Sequence, residues 1–193
     1  MRTQLLLNCF AAAASATTYF LTVFAPNTEV DGALINASGQ GFYLSLDGPS
    51  VYCPDNVSDC PKIEGTLVTS NMTAMAVKVP GGQQIYVLPD GQVQYTRAHS
   101  SLQPPGSMVG GWFNKTVVLS SNDSRYAFDY LAPDGSGKGG VKICPDVPDA
   151  IKGTGAGYSL YVGTKAFNES FCIEAVGLNL MPKNVTFGAW EYV

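Results

Sequence analysis

The chain has 193 residues, a formal net charge of −4 and only 13% charged residues. That length suits one domain with a full hydrophobic core. Eleven Lys and Arg stand against fifteen Asp and Glu, which disfavours a nucleic-acid partner, because binding to a phosphate backbone rests on clustered cations.

Arg2 gives a positive start, Leu5 to Ala14 forms a short apolar run, and Ala14-Ser15-Ala16 supplies a small-x-small cleavage site. Residues 1–16 are therefore expected to be a signal peptide, with a single all-β domain over 17–193. A membrane span needs about 20 predominantly apolar residues, and Thr17-Thr18 interrupt the run. The closing stretch Thr186–Val193 lacks the hydrophobic tail of a lipid-anchor signal. No membrane anchor is expected.

In the mature chain, Tyr19–Phe24 is expected as the first strand, followed by a turn at Asn27–Gly32 and then Ala33-Leu34-Ile35. Gly41–Leu46, Asp47-Gly48-Pro49 and Val51–Cys53 have the form of a hairpin. Thr66–Thr69 and Thr73–Val79 lead to the clearest element. There Gln84–Leu88 and Gln92–Thr96 flank Pro89-Asp90-Gly91, where proline pre-sets φ and glycine accepts a positive one. Pro104-Pro105-Gly106 marks an exposed connection. Tyr126–Tyr130 alternates and is closed by Pro133–Gly140, expected as a flexible loop; Val141–Cys144, Tyr158–Val162, Phe171–Val176 and Trp190–Tyr192 complete the strands. Beyond the signal no window sustains a helical apolar period. Many short strands separated by Gly, Pro and Asn specify an antiparallel β-sandwich or barrel. Asp-Gly turns at Asp47, Asp90 and Asp134 recur about every 43 residues, which raises a β-trefoil as the alternative.

Asn-x-Ser/Thr acceptors occur at Asn36, Asn56, Asn71, Asn114, Asn122, Asn168 and Asn184, none with proline in the middle. Heavy glycosylation is expected, with these positions facing solvent. Loss of Cys9 with the signal leaves Cys53, Cys60, Cys144 and Cys172, an even number in an oxidising compartment. Three connectivities are open. The favoured one joins Cys53 to Cys60 around a small loop and Cys144 to Cys172 in the C-terminal part. A zinc site is a poor fit, since closely spaced Cys or His pairs are needed and His99 is the single histidine.

Candidate chemistry is sparse. His99 beside Ser100 and Ser101 offers a base next to hydroxyls, but adjacency in sequence is not a triad and no Gly-x-Ser-x-Gly elbow presents a nucleophile. Carboxylates at Asp129, Asp134, Glu169, Glu174 and Glu191 could serve a glycosidase only if two faced each other across a cleft. Gly135–Gly140 lacks the order of a phosphate loop. Tyr43, Tyr52, Tyr86, Tyr95, Trp112 and Trp190 could stack on sugars if exposed, while strand alternation favours their burial. No catalytic residues, metal or cofactor are assigned. The expected role is non-enzymatic, with a carbohydrate-binding module as the alternative and a secreted hydrolase ranked below both.

Gly41-Phe-Tyr-Leu44, Tyr52-Cys-Pro54, Cys60-Pro61, Val79-Pro-Gly-Gly-Gln83 with Ile85-Tyr-Val87, Asp90-Gly91, Tyr95-Thr96, Ala98-His-Ser100, Cys144-Pro145 and Ala189-Trp-Glu-Tyr192 follow one another in an order that resembles the family of the fungal cell wall protein phiA and the secreted IgE-binding proteins of moulds. The likeness spans nearly the whole mature chain. It implies a secreted, glycosylated cell wall protein involved in phialide and conidium development, hence sporulation, and in stress protection. Its partners would be wall polysaccharide or the mannoprotein matrix. The resemblance carries Cys53, Cys60, Cys144 and Cys172 over as disulfide partners. The chain departs from the pattern at Asn114–Ser124 and Pro148–Gly157.

Overall fold

The computed structural model describes residues 17–120 and 123–193; the expected signal peptide and Asn122 lie outside the described residues. The strands are β1 (Thr18–Phe24), β2 (Ile35–Ser38), β3 (Gly41–Leu44), β4 (Val51–Tyr52), β5 (Leu67–Thr69), β6 (Ile85–Val87), β7 (Val93–Tyr95), β8 (Trp112–Ser120), β9 (Asp123–Tyr130) and β10 (Val141–Cys144). A single turn of helix, α1 (Asp149–Lys152), precedes β11 (Tyr158–Val162), β12 (Ile173–Ala175), β13 (Gly177–Lys183) and β14 (Glu191–Tyr192).

Two antiparallel sheets pack face to face, which is the sandwich and not the trefoil. The first runs β5-β1-β13-β9-β8; the second runs β12-β10-β11-β3-β7-β6, with β2 added on β3; β14 and β4 form a separate pair. Alternation puts Leu21, Val23, Phe128 and Leu178 of the first sheet into one core with Phe42, Leu44, Ile85, Val93, Ile143 and Leu160 of the second. Phe42 meets the Tyr95 ring edge-on at 5.5 Å. Each such fully buried side chain contributes roughly 1.5–3 kcal/mol relative to exposure.

The central hairpin forms as its sequence specifies. Tyr86 lies opposite Gln94 and Val87 opposite Val93, and the Gly91 amide donates to Leu88 O at 2.9 Å. Gly91 has φ +97, and a Cβ there would lie 2.2 Å from Val162 O. Glycine therefore serves both the turn and the close approach of β11.

Three local expectations are corrected. Val51–Tyr52 does not return along Gly41–Leu44; it pairs with β14, while β3 forms its hairpin with β2. The turn joining β2 and β3 is Gly39-Gln40, both at positive φ, and such a two-residue turn matches strand twist better than the longer Asp47 loop. Thr73–Val79 makes only isolated bridges, through Ala74, Met75 and Val77. The loop Pro133–Gly140 is not loose: Ala132 donates to Lys138 O at 2.8 Å and Gly140 to Tyr130 O at 2.9 Å. Two strands escape the sequence reading altogether. β8 falls in the segment set aside as a departure, and β13 carries Pro182, whose missing N–H argues against a strand but is tolerated near a strand end. The other departure holds α1, whose Ile151 packs on Tyr43 and Val147.

Both favoured disulfides are present. Cys53–Cys60 closes an exposed loop over a sequence separation of 7, and Cys144–Cys172 ties β10 to the segment before β12 over a separation of 28. Among the described residues no helix is long and apolar enough to cross a membrane.

Candidate functional site

The structure disperses the candidate catalytic groups. His99 is exposed at the tip of a turn with φ 59. Asp129 accepts from Lys115 Nζ at 2.6 Å and from the Tyr130 amide at 2.9 Å. Glu174 is paired with Lys142 across β10 and β12. Asp134 accepts from the Ser136 amide at 2.9 Å, and the Ser136 side chain first, then this amide, holds its carboxyl below the usual carboxylate range. Glu169 lies before β12 and Glu191 in β14. These groups sit on separate elements, several of them already held by a cation or an amide.

The aromatic candidates divide. Tyr43, Tyr86 and Tyr95 are buried, and burial raises each phenol above its ordinary pKa. Trp112 stacks on Phe128 at 5.6 Å with rings 4° from parallel, and meets Tyr130 edge-on at 5.1 Å. Trp190 packs against the core, and Tyr52 is half exposed.

The feature the sequence reading missed is a groove where β8 and β9 outrun the second sheet. Opposite residues of an antiparallel pair share a face. The register sets Trp112 against Tyr130, Asn114 against Phe128 and Thr116 against Tyr126, and Phe128 in turn against Leu178. At the base of this hairpin the face is covered: Tyr130 is 1% and Phe128 3% exposed. Toward the tip Tyr126 is 76% and Val118 73% exposed, so among the described residues the end of the aromatic row is left uncovered. The resulting groove, about 390 Å³, is floored by Phe128, Leu178 and Leu180 and walled by Tyr19, Tyr126, Asn114 and Ser70. None of these side chains is charged. Rings, aliphatic carbons, hydroxyls and one amide are the surface that an uncharged sugar fits. The mirrored alternation Trp112-x-Asn114-x-Thr116 and Tyr126-x-Phe128-x-Tyr130 is the sequence signal that could have located it.

The seven candidate acceptor asparagines also divide. Asn56, Asn71, Asn114, Asn168 and Asn184 are exposed, as expected. Asn36 is not. It lies in β2 with 1% exposure; its Nδ2 donates to Leu46 O at 3.3 Å, and its Oδ1 has no hydrogen-bond partner among the described residues. The expectation that Asn36 faces solvent is therefore corrected: it is a core residue whose amide is turned to Leu46 O within the fold.

Two packed antiparallel sheets with two disulfides define a stapled all-β domain of the kind built for an oxidising compartment. The chain is 35% identical over 170 residues to an uncharacterized secreted protein of Arthroderma benhamiae, with 85% of this chain and 80% of that protein covered. It belongs to this family of secreted fungal proteins. No protein-family model matches the sequence, and no solved structure matches it.

Proposed function

We propose that the protein is a non-enzymatic structural glycoprotein of the fungal cell wall, with a protective role and, as the likeness to the phiA family implies, a part in phialide and conidium development. The supporting observation is the placement of the accessible acceptors. Asn56 lies in the Cys53–Cys60 loop, Asn71 follows β5, Asn114 is on β8, Asn168 precedes β12 and Asn184 follows β13. Glycans at these five positions would leave a stapled sandwich from several separate elements, giving hydration and many contacts with wall polysaccharide or mannoprotein. The domain resists the extracellular environment, and its surface carries the function. The test is stepwise extraction of isolated walls with detergent, then reductant, then glucanase. Recovery in the last fraction supports the reading, and complete recovery in the medium opposes it.

A second reading, a carbohydrate-binding module, is favoured by the Tyr19–Tyr126 groove. Pull-down on chitin, β-glucan and mannan tests it: saturable retention on one polymer, lost in Tyr126→Ala, would displace the scaffold reading.

A further inference from the structure

We propose that the groove is filled by the chain's own N-glycan, with the first N-acetylglucosamine on Asn114 laid against the exposed ring of Tyr126. The inference rests on the reading of Asn114 as an occupied acceptor and adds what that sugar does.

The sequon Asn114-Lys115-Thr116 lies in mid-strand, where alternation sends Asn114 and Thr116 to the face that carries Phe128 and Tyr126, while Lys115 goes to the other face and binds Asp129. Tyr126 is directly opposite Thr116 and diagonal to Asn114, within the ~7–8 Å at which diagonal pairs of large groups still meet. A sugar linked to Asn114 Nδ2 therefore starts in the groove that Asn114 itself lines. It faces a tyrosine ring 76% exposed at the end of a row whose other members, Phe128 and Tyr130, are covered. Such a ring leaves an apolar surface open to water, and the carbon-bound hydrogens of a pyranose stack on it. Ser70 and Tyr19 line the groove and carry hydroxyls that sugar hydroxyls could bond. Among the described residues no charged side chain lines the groove, which favours this neutral occupant over a charged peptide.

Attachment forms a bond from Asn114 Nδ2 to C1 of the sugar. The sugar–pyrophosphate bond of a polyisoprenyl-linked oligosaccharide donor breaks, and the amide proton leaves to solvent through the transferase. The glycan then covers the ring of Tyr126 at the open end of the aromatic row.

The experiment compares the secreted full chain from a eukaryotic host with Thr116→Val, which abolishes the acceptor while keeping side-chain shape, and with Asn114→Gln. Each background also receives Tyr126→Ala or Tyr126→Phe. Site-resolved mass spectrometry is expected to find sugar on Asn114. In the glycosylated chain Tyr126→Ala should lower Tm by roughly 2–4 °C, in the Thr116→Val and Asn114→Gln backgrounds by less than about 1 °C, and Tyr126→Phe should retain the glycosylated value. Trimming all glycans to their first sugar should leave the coupling in place. An unmodified Asn114 in the secreted protein, an equal Tyr126→Ala shift in both backgrounds, or loss of the coupling on trimming would overturn the proposal. Wall extraction of the same variants reports separately: coupling without retention in the wall would sink the structural reading alone, and retention without coupling would sink this one.

Discussion

Gln83 closes the chain onto the sandwich by gripping both the backbone N–H and the backbone C=O of Tyr192. The Gln83 Nε2 donates to Tyr192 O at 2.8 Å and to Thr96 O at 2.9 Å, and the Tyr192 amide donates to Gln83 Oε1 at 2.8 Å. Gln83 is 2% exposed, so no water can replace it cheaply. Tyr192 then reaches across to accept from the Leu67 amide at 2.9 Å. One side chain thus joins the central hairpin to the last strand, and through it to β5. Replacing Gln83 by Leu strands an amide and two carbonyls in the interior, at about 1–3 kcal/mol for each group that finds no partner. The expected outcome is a loss of about 2–4 kcal/mol, read as a lower denaturant midpoint at unchanged m-value. A change within about 0.5 kcal/mol, the range of an ordinary surface substitution, would show that the grip is not needed.

The two disulfides should differ in worth. Chain-entropy arguments give roughly 3.5 kcal/mol for the Cys144–Cys172 separation of 28 and about 2.4 kcal/mol for the Cys53–Cys60 separation of 7. Cys144 is wholly buried in the second sheet, while Cys53 is exposed. Paired Cys→Ser variants at 144 and 172 should therefore lower Tm more than the same pair at 53 and 60. The reverse order would contradict the placement of the staples.

Alkali should unfold the domain from within. Burial pushes the Tyr192 phenol up to about 12, and burial with the nearby Asp134 charge does the same to Tyr130. Unfolded phenols ionise near pH 10. The fold retains these protons between about pH 10 and 12 while the unfolded chain has lost them, so this stabilisation is full below 10 and falls as pH rises toward 12. Phenolate absorbance should rise for these residues together with loss of the far-ultraviolet strand signal. Ionisation of every tyrosine near pH 10 with the strands intact would refute it.

Glycan mapping should separate the acceptors by exposure. Asn56, Asn71, Asn168 and Asn184 are expected to carry sugar in the secreted protein, and Asn36 to be unmodified because its amide is packed beneath Leu46 O. Occupied Asn36 in folded protein would contradict the position of β2.

Much of this architecture was legible because strand period and turn chemistry are local. Val141–Cys144 and Tyr158–Val162 appear with the bounds their alternation gives, and Pro89-Asp90-Gly91 turns where it should. Pairing is not local: nothing near Val51 says that its partner is Tyr192, 141 positions on, or that Gly39-Gln40 makes the better turn. β13 was hidden by Pro182 and by Asn179, which sits opposite Thr22 on the face turned away from the main core. The groove was hidden for a related reason. Its lining comes from β1, the turn after β5, β8, β9 and β13, and the exposure of Tyr126 depends on what the other sheet covers, which no single strand records. Asn36 failed in the opposite direction, because a sequon is a local pattern and burial is not.

The most direct test of the central claim is the extraction of isolated fungal walls, followed by an antibody to this chain. A protein that is held in the wall through its surface should resist detergent and be released by glucanase, with its glycans and both disulfides intact. Full recovery as free protein in the medium, with none in the wall fractions, would contradict the account.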